Sequence, residues 1–423
     1  MKAGGFDAVI GNPPYVDIKG MPGIDVDYIF GHYAAANNRI NLFAAFIERS
    51  LKIANHAGFR FGMIVPTAVL AQTSYQALRK LILSNFRIAS LVRLPNESFG
   101  AKAGDVKVDT VIVVVGDEDS TDEATTVLAY RGYERVSVIE PSDATVAYAI
   151  NQDTWRRNTE SGWSIGTADR DVAILEKCER DTVPLDECVE FCLGLTPYDK
   201  YKGHTRQQIE MRAFHADHKK DDTFKPLLGG SDVRRYEVAW DEKEWISYGP
   251  WLGAAREQRF FLQRRILVKQ IIDWTSKRIW ASVEDKELYN TQNAFNLLAR
   301  PNWSLNYLLG ILNSRLMSYL HRKRYLEEFQ MRFQKILIKD CRRLPIRTID
   351  FSNKSDKSKH DKMVALVERM LDLHKRLAAA KAPADKERLP REIEQTDRQI
   401  DQLVYELYGL TEDEIKIVEE ATK

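Results

Sequence analysis

Short apolar runs and helically spaced apolar stripes alternate along the first third of this chain. Residues 6–10 (FDAVI) read as a strand, and 59–65, 88–94 and 108–115 follow as buried strands, the last strongly β-branched and closing the series. Two helical stripes lie among them. One runs through Leu42, Phe43, Phe46, Ile47 and Leu51, with Asn41 as its cap and Gly58 past its end. The other runs through Tyr75, Leu78, Leu81 and Ile82, with Ser74 as its cap. Residues 16–38 carry no stripe and read as a loop containing Gly and Pro. Strands alternating with helices predict an α/β domain over residues 1–165, with a mostly parallel sheet covered by helices. Residues 117–181 read as the end of that domain plus a connector, with a strand-like piece at 126–130.

The tail has a different rhythm. Met363, Leu366, Met370, Leu373 and Leu377 make one helical stripe, and Leu389, Ile393, Ile400, Leu403 and Leu407 make another. A link containing Pro383 separates them, so residues 357–423 predict a C-terminal helical hairpin. Gly409 can close the second helix, and Thr411 with Glu414 forms a capping box for a last short one.

The first strand runs into a stiff polar corner, Asn12-Pro13-Pro14-Tyr15. Each proline fixes its own φ, pushes the residue before it towards extended geometry and lacks an N–H. The corner therefore offers carbonyl acceptors with few competing donors. Asn12 adds a side-chain carbonyl, and Tyr15 adds a flat ring. Two acceptors beside an aromatic face suit an exocyclic amine on a flat ring, such as a base taken out of a duplex at a cost of a few kcal/mol.

The decapeptide FDAVIGNPPY resembles the catalytic motif of gamma-class N6-adenine DNA methyltransferases, which depend on S-adenosylmethionine. The resemblance implies a partial Rossmann-like methyltransferase sheet. In that family the Asn side chain and the first Pro carbonyl accept from the target amine, the Tyr stacks on the flipped base, and the amine attacks the sulfonium methyl. Those roles fall on Asn12, Pro13 and Tyr15, with Pro14 as spacer. A similarly placed aromatic on the far side of the base corresponds to Phe99. Lys102 and Lys107, in the loop after it, are candidate phosphate contacts. The family's sheet starts with a strand ending in a Gly-rich turn, with an acidic residue after the next strand. No Gly-x-Gly turn follows a strand here, so the resemblance omits the cofactor-binding front. It implies a missing N-terminal half or a partner subunit that supplies S-adenosylmethionine.

From 184 to 348 the pieces VEFCLGLTP, FKPLL, GGSDV, NTQN and GILNS are similar to the TaqI-like specificity domain of gamma-class adenine methyltransferases and fused restriction-modification enzymes. They imply an α+β target-recognition domain. The ending DRQIDQLVYELYGLTEDEIKIVEE resembles that of the fused enzymes and suggests a brace for the domain or a docking element.

Charge sharpens this picture. The chain carries a net charge of only +1, so a nucleic-acid surface has to be local. Between Arg315 and Arg347 stand ten basic residues against three acids, a local charge of +7 with aromatics interleaved. Arg322, Lys323, Arg324, Arg342 and Arg343, with Arg264 and Arg265 upstream, are the candidate contacts to double-stranded DNA.

The four cysteines show no paired zinc spacing, which fits a reduced, cytoplasmic protein. His215 and His218 form an H-x-x-H pair without further ligands nearby, so no metal is expected. No apolar run is long enough to span a membrane. The favoured function is an adenine-specific DNA methyltransferase fragment of a restriction-modification or defence system. The alternative is a non-catalytic DNA-specificity module needing a partner chain for the cofactor site. A protein-glutamine methyltransferase shares Asn-Pro-Pro-Tyr but usually ends soon after its sheet, whereas this chain continues to Lys423.

Overall fold

A computed structural model describes residues 5–36, 40–54, 58–94, 109–116, 124–130, 138–157, 162–163, 165, 169–273, 275–326 and 334–422. The chain divides into two units, one of residues 1–173 and the other of residues 174–326 and 330–423.

Six strands make the sheet of the first unit: β1 (Ala8–Gly11), β2 (Arg60–Pro66), β3 (Arg87–Arg93), β4 (Thr110–Gly116), β5 (Ala124–Ala129) and β6 (Val146–Asn151). Their spatial order is β1-β2-β4-β3-β5-β6. β1 pairs parallel to β2 and β3 parallel to β5, while β4 lies antiparallel between β2 and β3, and β6 antiparallel to β5. The sheet is thus mixed, which corrects the expectation of a mostly parallel one. A parallel neighbour needs a crossover, usually helical, whereas an antiparallel one does not. The sequence between β3 and β4 carries no helical stripe. β4 is also not the last strand, because β5 and β6 extend the sheet from what read as a connector.

Helix α1 (Gly23–His32) occupies part of the stretch expected to be a loop. It escapes periodicity because Ile24, Tyr28 and Phe30 are exposed and only Ile29 is buried. Helix α2 (Phe43–Ile53) buries Phe43, Ala44, Ile47 and Leu51 in a core shared with Phe61, Met63, Val65, Val111, Val113 and Val115. Its Phe46 instead faces out, and neither Asn41 nor Ser74 caps a helix. Glu48, nearly fully buried on α2, accepts from the Ala35 backbone N–H at 2.7 Å and pairs with Lys52. It thereby fastens the chain after α1 to α2.

In the second unit an antiparallel sheet runs Ala281–Glu284, Arg265–Lys269, Ala294–Ala299, Val189–Leu193. A smaller four-stranded sheet includes Phe224–Leu228 and Trp245–Ser247, with Leu195, Ile246, Phe261 and Tyr289 in its own core. The stripes of the tail form the long helices Lys354–Ala379 and Pro383–Tyr408, and Gly409 closes the second at φ +67°. The Thr411–Glu414 capping box opens Glu412–Ala421. Met363, Met370, Ile400, Leu403 and Val404 share one core with Ile266, Phe295, Leu308 and Leu312. The tail is therefore built into the second unit's interior.

Among the described residues no helix is long and apolar enough to cross a membrane.

Candidate functional site

β1 has β2 on one side and no described strand on the other, so the polar corner leaves the carboxyl end of an edge strand. Pro13 is buried and anchors the turn, while Asn12 and Pro14 are exposed. The Asn12 side chain makes no hydrogen bond to a described residue, and its amide is open to solvent. Beyond the corner the chain is tied down quickly. Val16 accepts from the Leu42 N–H at 2.8 Å, Asp17 bridges to Asn41, and Ile18 donates to Ile40 at 3.3 Å.

Tyr15 is half-buried and held at two points. Its hydroxyl donates to the Ile64 carbonyl on β2 at 3.0 Å, and its ring meets Phe43 edge-on, with centroids 6.4 Å apart. Burial pushes its phenol up to about 12, so the hydroxyl stays a donor at neutral pH. The ring is thus held in position against the core and remains partly exposed. Tyr15→Phe is expected to cost about 1 kcal/mol in a denaturant melt through loss of the Ile64 hydrogen bond. The same change should leave the fluorescence of a base analogue at the DNA target close to wild type, whereas Tyr15→Ala should abolish the signal of the captured base. Equal signals from both variants would remove the ring from the site.

Phe99, Lys102 and Lys107 lie outside the described residues. Among the described residues, no strand runs into a Gly-x-Gly turn.

The basic positions of the second unit separate into distinct groups. Arg264 is exposed and donates to the Asn306 side chain at 3.1 Å. Arg265 is fully buried: its guanidinium donates to Asn296 Oδ1 and to the carbonyls of Gln263, Lys286 and Leu288. A cation whose donors are spent inside the sheet does not reach phosphate, so Arg265 is withdrawn from the DNA-contact set. Arg322 and Lys323 are half-buried, and Arg322 donates to the Ala421 carbonyl. Arg324 pairs with Glu179. Arg342 is exposed, lies over the Phe191 ring at 5.5 Å and faces Asp186 at 3.4 Å, and Arg343 is exposed beside it. Part of the basic stretch therefore braces the unit.

Sequence reasoning missed what the other cations do. Arg235 and Arg278 converge on Asp397 of the long helix, Arg278 and Arg315 also on Asp401, and both Arg235 and Arg278 donate to the Asn313 carbonyl. The motif pieces meet in the same way. Leu195 donates to the Asn290 carbonyl at 2.7 Å, and Gln292 donates to Thr196 Oγ1 at 2.7 Å. A Cβ on Gly194 would stand 2.0 Å from the Thr291 carbonyl, so only glycine fits there. The Asn313 side chain pairs with both backbone groups of Ala281, and Ser314 caps Arg315–Tyr325.

The H-x-x-H pair is dispersed. His215 Nδ1 meets the Tyr198 hydroxyl at 2.9 Å, and His218 Nδ1 meets Asp217 at 2.6 Å. Among the described residues no group of three His, Cys, Asp or Glu is placed to hold a metal. All four cysteines carry free thiols.

A polar corner at a strand's carboxyl end, followed by an α+β unit with a helical brace, is the arrangement that comparison with known proteins meets. Residues 1–99 match the model of the Eco57I restriction-modification methylase, and residues 225–346 that of the TaqI-like C-terminal specificity domain. A putative type II restriction enzyme and methyltransferase of Methanocaldococcus jannaschii is 24% identical over 354 residues, covering 82% of this chain and 28% of the relative. The type II restriction enzyme and methyltransferase RM.Eco57I of Escherichia coli is 20% identical, covering 99% of this chain and 48% of its own length. The adenine-specific methyltransferase BrxX of Escherichia coli is 28% identical over 109 residues, 26% of this chain and 9% of that protein. Among solved structures, the type IIL restriction-modification enzyme MmeI in complex with DNA has a similar fold. It has a TM-score of 0.54 at 14% identity, over 98% of this chain and 56% of that one. The relatives are thus named as methyltransferases, two of them also as type II restriction enzymes. This chain spans about half or less of each of the two type II relatives.

Proposed function

We propose that this chain is the target-base and target-recognition portion of a site-specific DNA methyltransferase acting on adenine N6, within a restriction-modification or defence system. The observation that carries the reading is the exposed Asn12 at the carboxyl end of β1, close in sequence to the anchored, partly exposed Tyr15. The Asn12 side-chain carbonyl and the Pro13 backbone carbonyl accept the two N–H bonds of the adenine amine, and Tyr15 stacks on the base, with Phe99 on its other face. That pull draws the amine lone pair out of the ring and leaves it nucleophilic. The adenine-specific name of one relative supports the choice of base. Arg264, Arg342 and Arg343, exposed on the second unit, supply contacts to the duplex.

In this reading the Gly-rich turn for S-adenosylmethionine belongs to a further polypeptide segment or a partner chain. The open edge of β1 is the place for the polypeptide that holds it. β1 is an edge strand, of a kind natural proteins normally cover, and its Ile10 is 87% exposed, with Phe6 just before it 52% exposed. A further strand pairing there brings a cofactor cradle beside Asn12. The reading is tested by transfer of labelled methyl from S-adenosylmethionine to DNA, with this chain alone and with a cofactor-binding half supplied from a relative. Transfer only in the reconstituted sample supports the proposal. No transfer in either, with DNA binding retained, leaves the non-catalytic specificity module as the function.

A further inference from the structure

A second aromatic is presented to solvent, in the second unit. Residues 198–206 read YDKYKGHTR and precede the stretch matched to the specificity-domain model. Their turn is rigidly built. Asp199 Oδ1 accepts the Tyr201 N–H at 2.8 Å, and the Asp199 carbonyl accepts from Lys202 at 3.0 Å. Gly203 then turns the chain at φ +89°, a conformation that disfavours any side chain. His204 locks the base of the turn. Its Nδ1 accepts from the Asp199 N–H at 2.7 Å, which leaves Nε2 to donate to the Trp251 carbonyl at 2.8 Å. Underneath, Tyr198 stacks on Phe214 with centroids 5.2 Å apart, and its hydroxyl accepts from the Phe214 N–H and meets His215.

All this order supports a tip with no core to bury. Tyr201 is 86% exposed, flanked by exposed Lys200 and Lys202 and followed by Arg206. The acid of the turn, Asp199, has its carboxylate committed to the Tyr201 N–H. Arg206 pairs with Glu210 across open solvent, where an ion pair contributes little and exchanges readily for another anion. A phenol ring in water, with the Lys200 ammonium 4.9 Å from its centre and exposed Lys202 next in the chain, fits a polyanion with apolar edges between its charges.

Resting on the specificity-domain reading above, we propose that residues 199–206 form a finger that contacts double-stranded DNA. Lys200 and Lys202 engage phosphates, and Tyr201 enters the groove against sugar and base edges. Phosphate contacts set affinity and its salt dependence, whereas the ring adds contact area that salt does not screen.

The test uses the full chain and a fluorescently labelled random-sequence duplex of about 30 base pairs, titrated by anisotropy from about 50 to 200 mM salt. Each phosphate contact contributes about 0.9 to the slope of log affinity against log salt. The double variant Lys200→Ala with Lys202→Ala should therefore lower that slope by about 1.8. Lys354→Ala with Lys357→Ala, exposed lysines on the long helix, should leave it unchanged. Tyr201→Ala should weaken binding about tenfold at every salt with the slope intact, a loss of the order of one groove contact. An unchanged slope in the Lys200/Lys202 variant, with the wild type binding normally, overturns the finger alone. A wild-type chain that binds no duplex overturns the specificity-domain reading, and the finger with it.

Discussion

Replacing Asn12 by alanine is expected, on the proposed function, to lower methyl transfer by about a hundred- to a thousandfold in whichever sample transfers methyl, the scale seen when one preorganised group is removed from a reacting centre. Duplex affinity should change by less than about twofold, because phosphate contacts rather than this amide supply most of it. The amide is exposed and makes no hydrogen bond to a described residue, so its loss should not perturb folding. Labelled-methyl transfer and filter binding on the same preparations separate the two effects. A parallel fall in both would make Asn12 a binding residue and refute its assigned chemistry.

The largest expected effect on stability lies at Asp397. Arg235 and Arg278 both hold its carboxylate, and all three side chains are mostly buried. Asp397→Ala leaves two guanidinium groups without their shared partner, and breaking a buried pair in this way costs about 3–5 kcal/mol. Urea unfolding at neutral pH measures it, and a loss below about 1 kcal/mol would mean that Asp401 and the Asn313 carbonyl suffice. Burial opposes the charge on Asp397, but Arg235 and Arg278 beside it hold its carboxyl below the usual value of 3.8. A carboxyl depressed in the folded state stabilises above its unfolded value, and that stabilisation is lost as pH falls through the folded one. The acid limb of the wild-type stability curve should accordingly be steeper than that of Asp397→Ala. Asp401, pushed up by burial, works in the opposite sense and softens the difference.

Strands β1 to β4 were legible because Val, Ile and Phe cluster between polar corners, whereas β6 was hidden in what read as a connector; the Asn12–Tyr15 corner was legible because two prolines and an aromatic leave few backbone alternatives. Helix α1 was not, because its exposed face is as apolar as its buried one and no stripe emerges. The partners of the cations were hidden for a related reason. Arg264 and Arg265 are neighbours in sequence, yet Arg264 lies exposed just before the strand while Arg265 opens it and is buried with it. Charge counts treat them alike. The tail stripes were read correctly as helices, but only the shared core shows that Met363 and Ile400 pack with Phe295 and Leu308 rather than with each other alone.

That shared interior sets the limits of any attempt to transplant target preference. A swap confined to residues 225–346 would cut through one packed body, separating Arg278 from Asp397 and Gly310 from the Met363 side chain that lies where a Cβ would be. The exchangeable cassette is instead the whole unit from Ile174, whose strand Thr182–Pro184 pairs with Pro345–Arg347, through the helix ending at Ala421, moved as one piece.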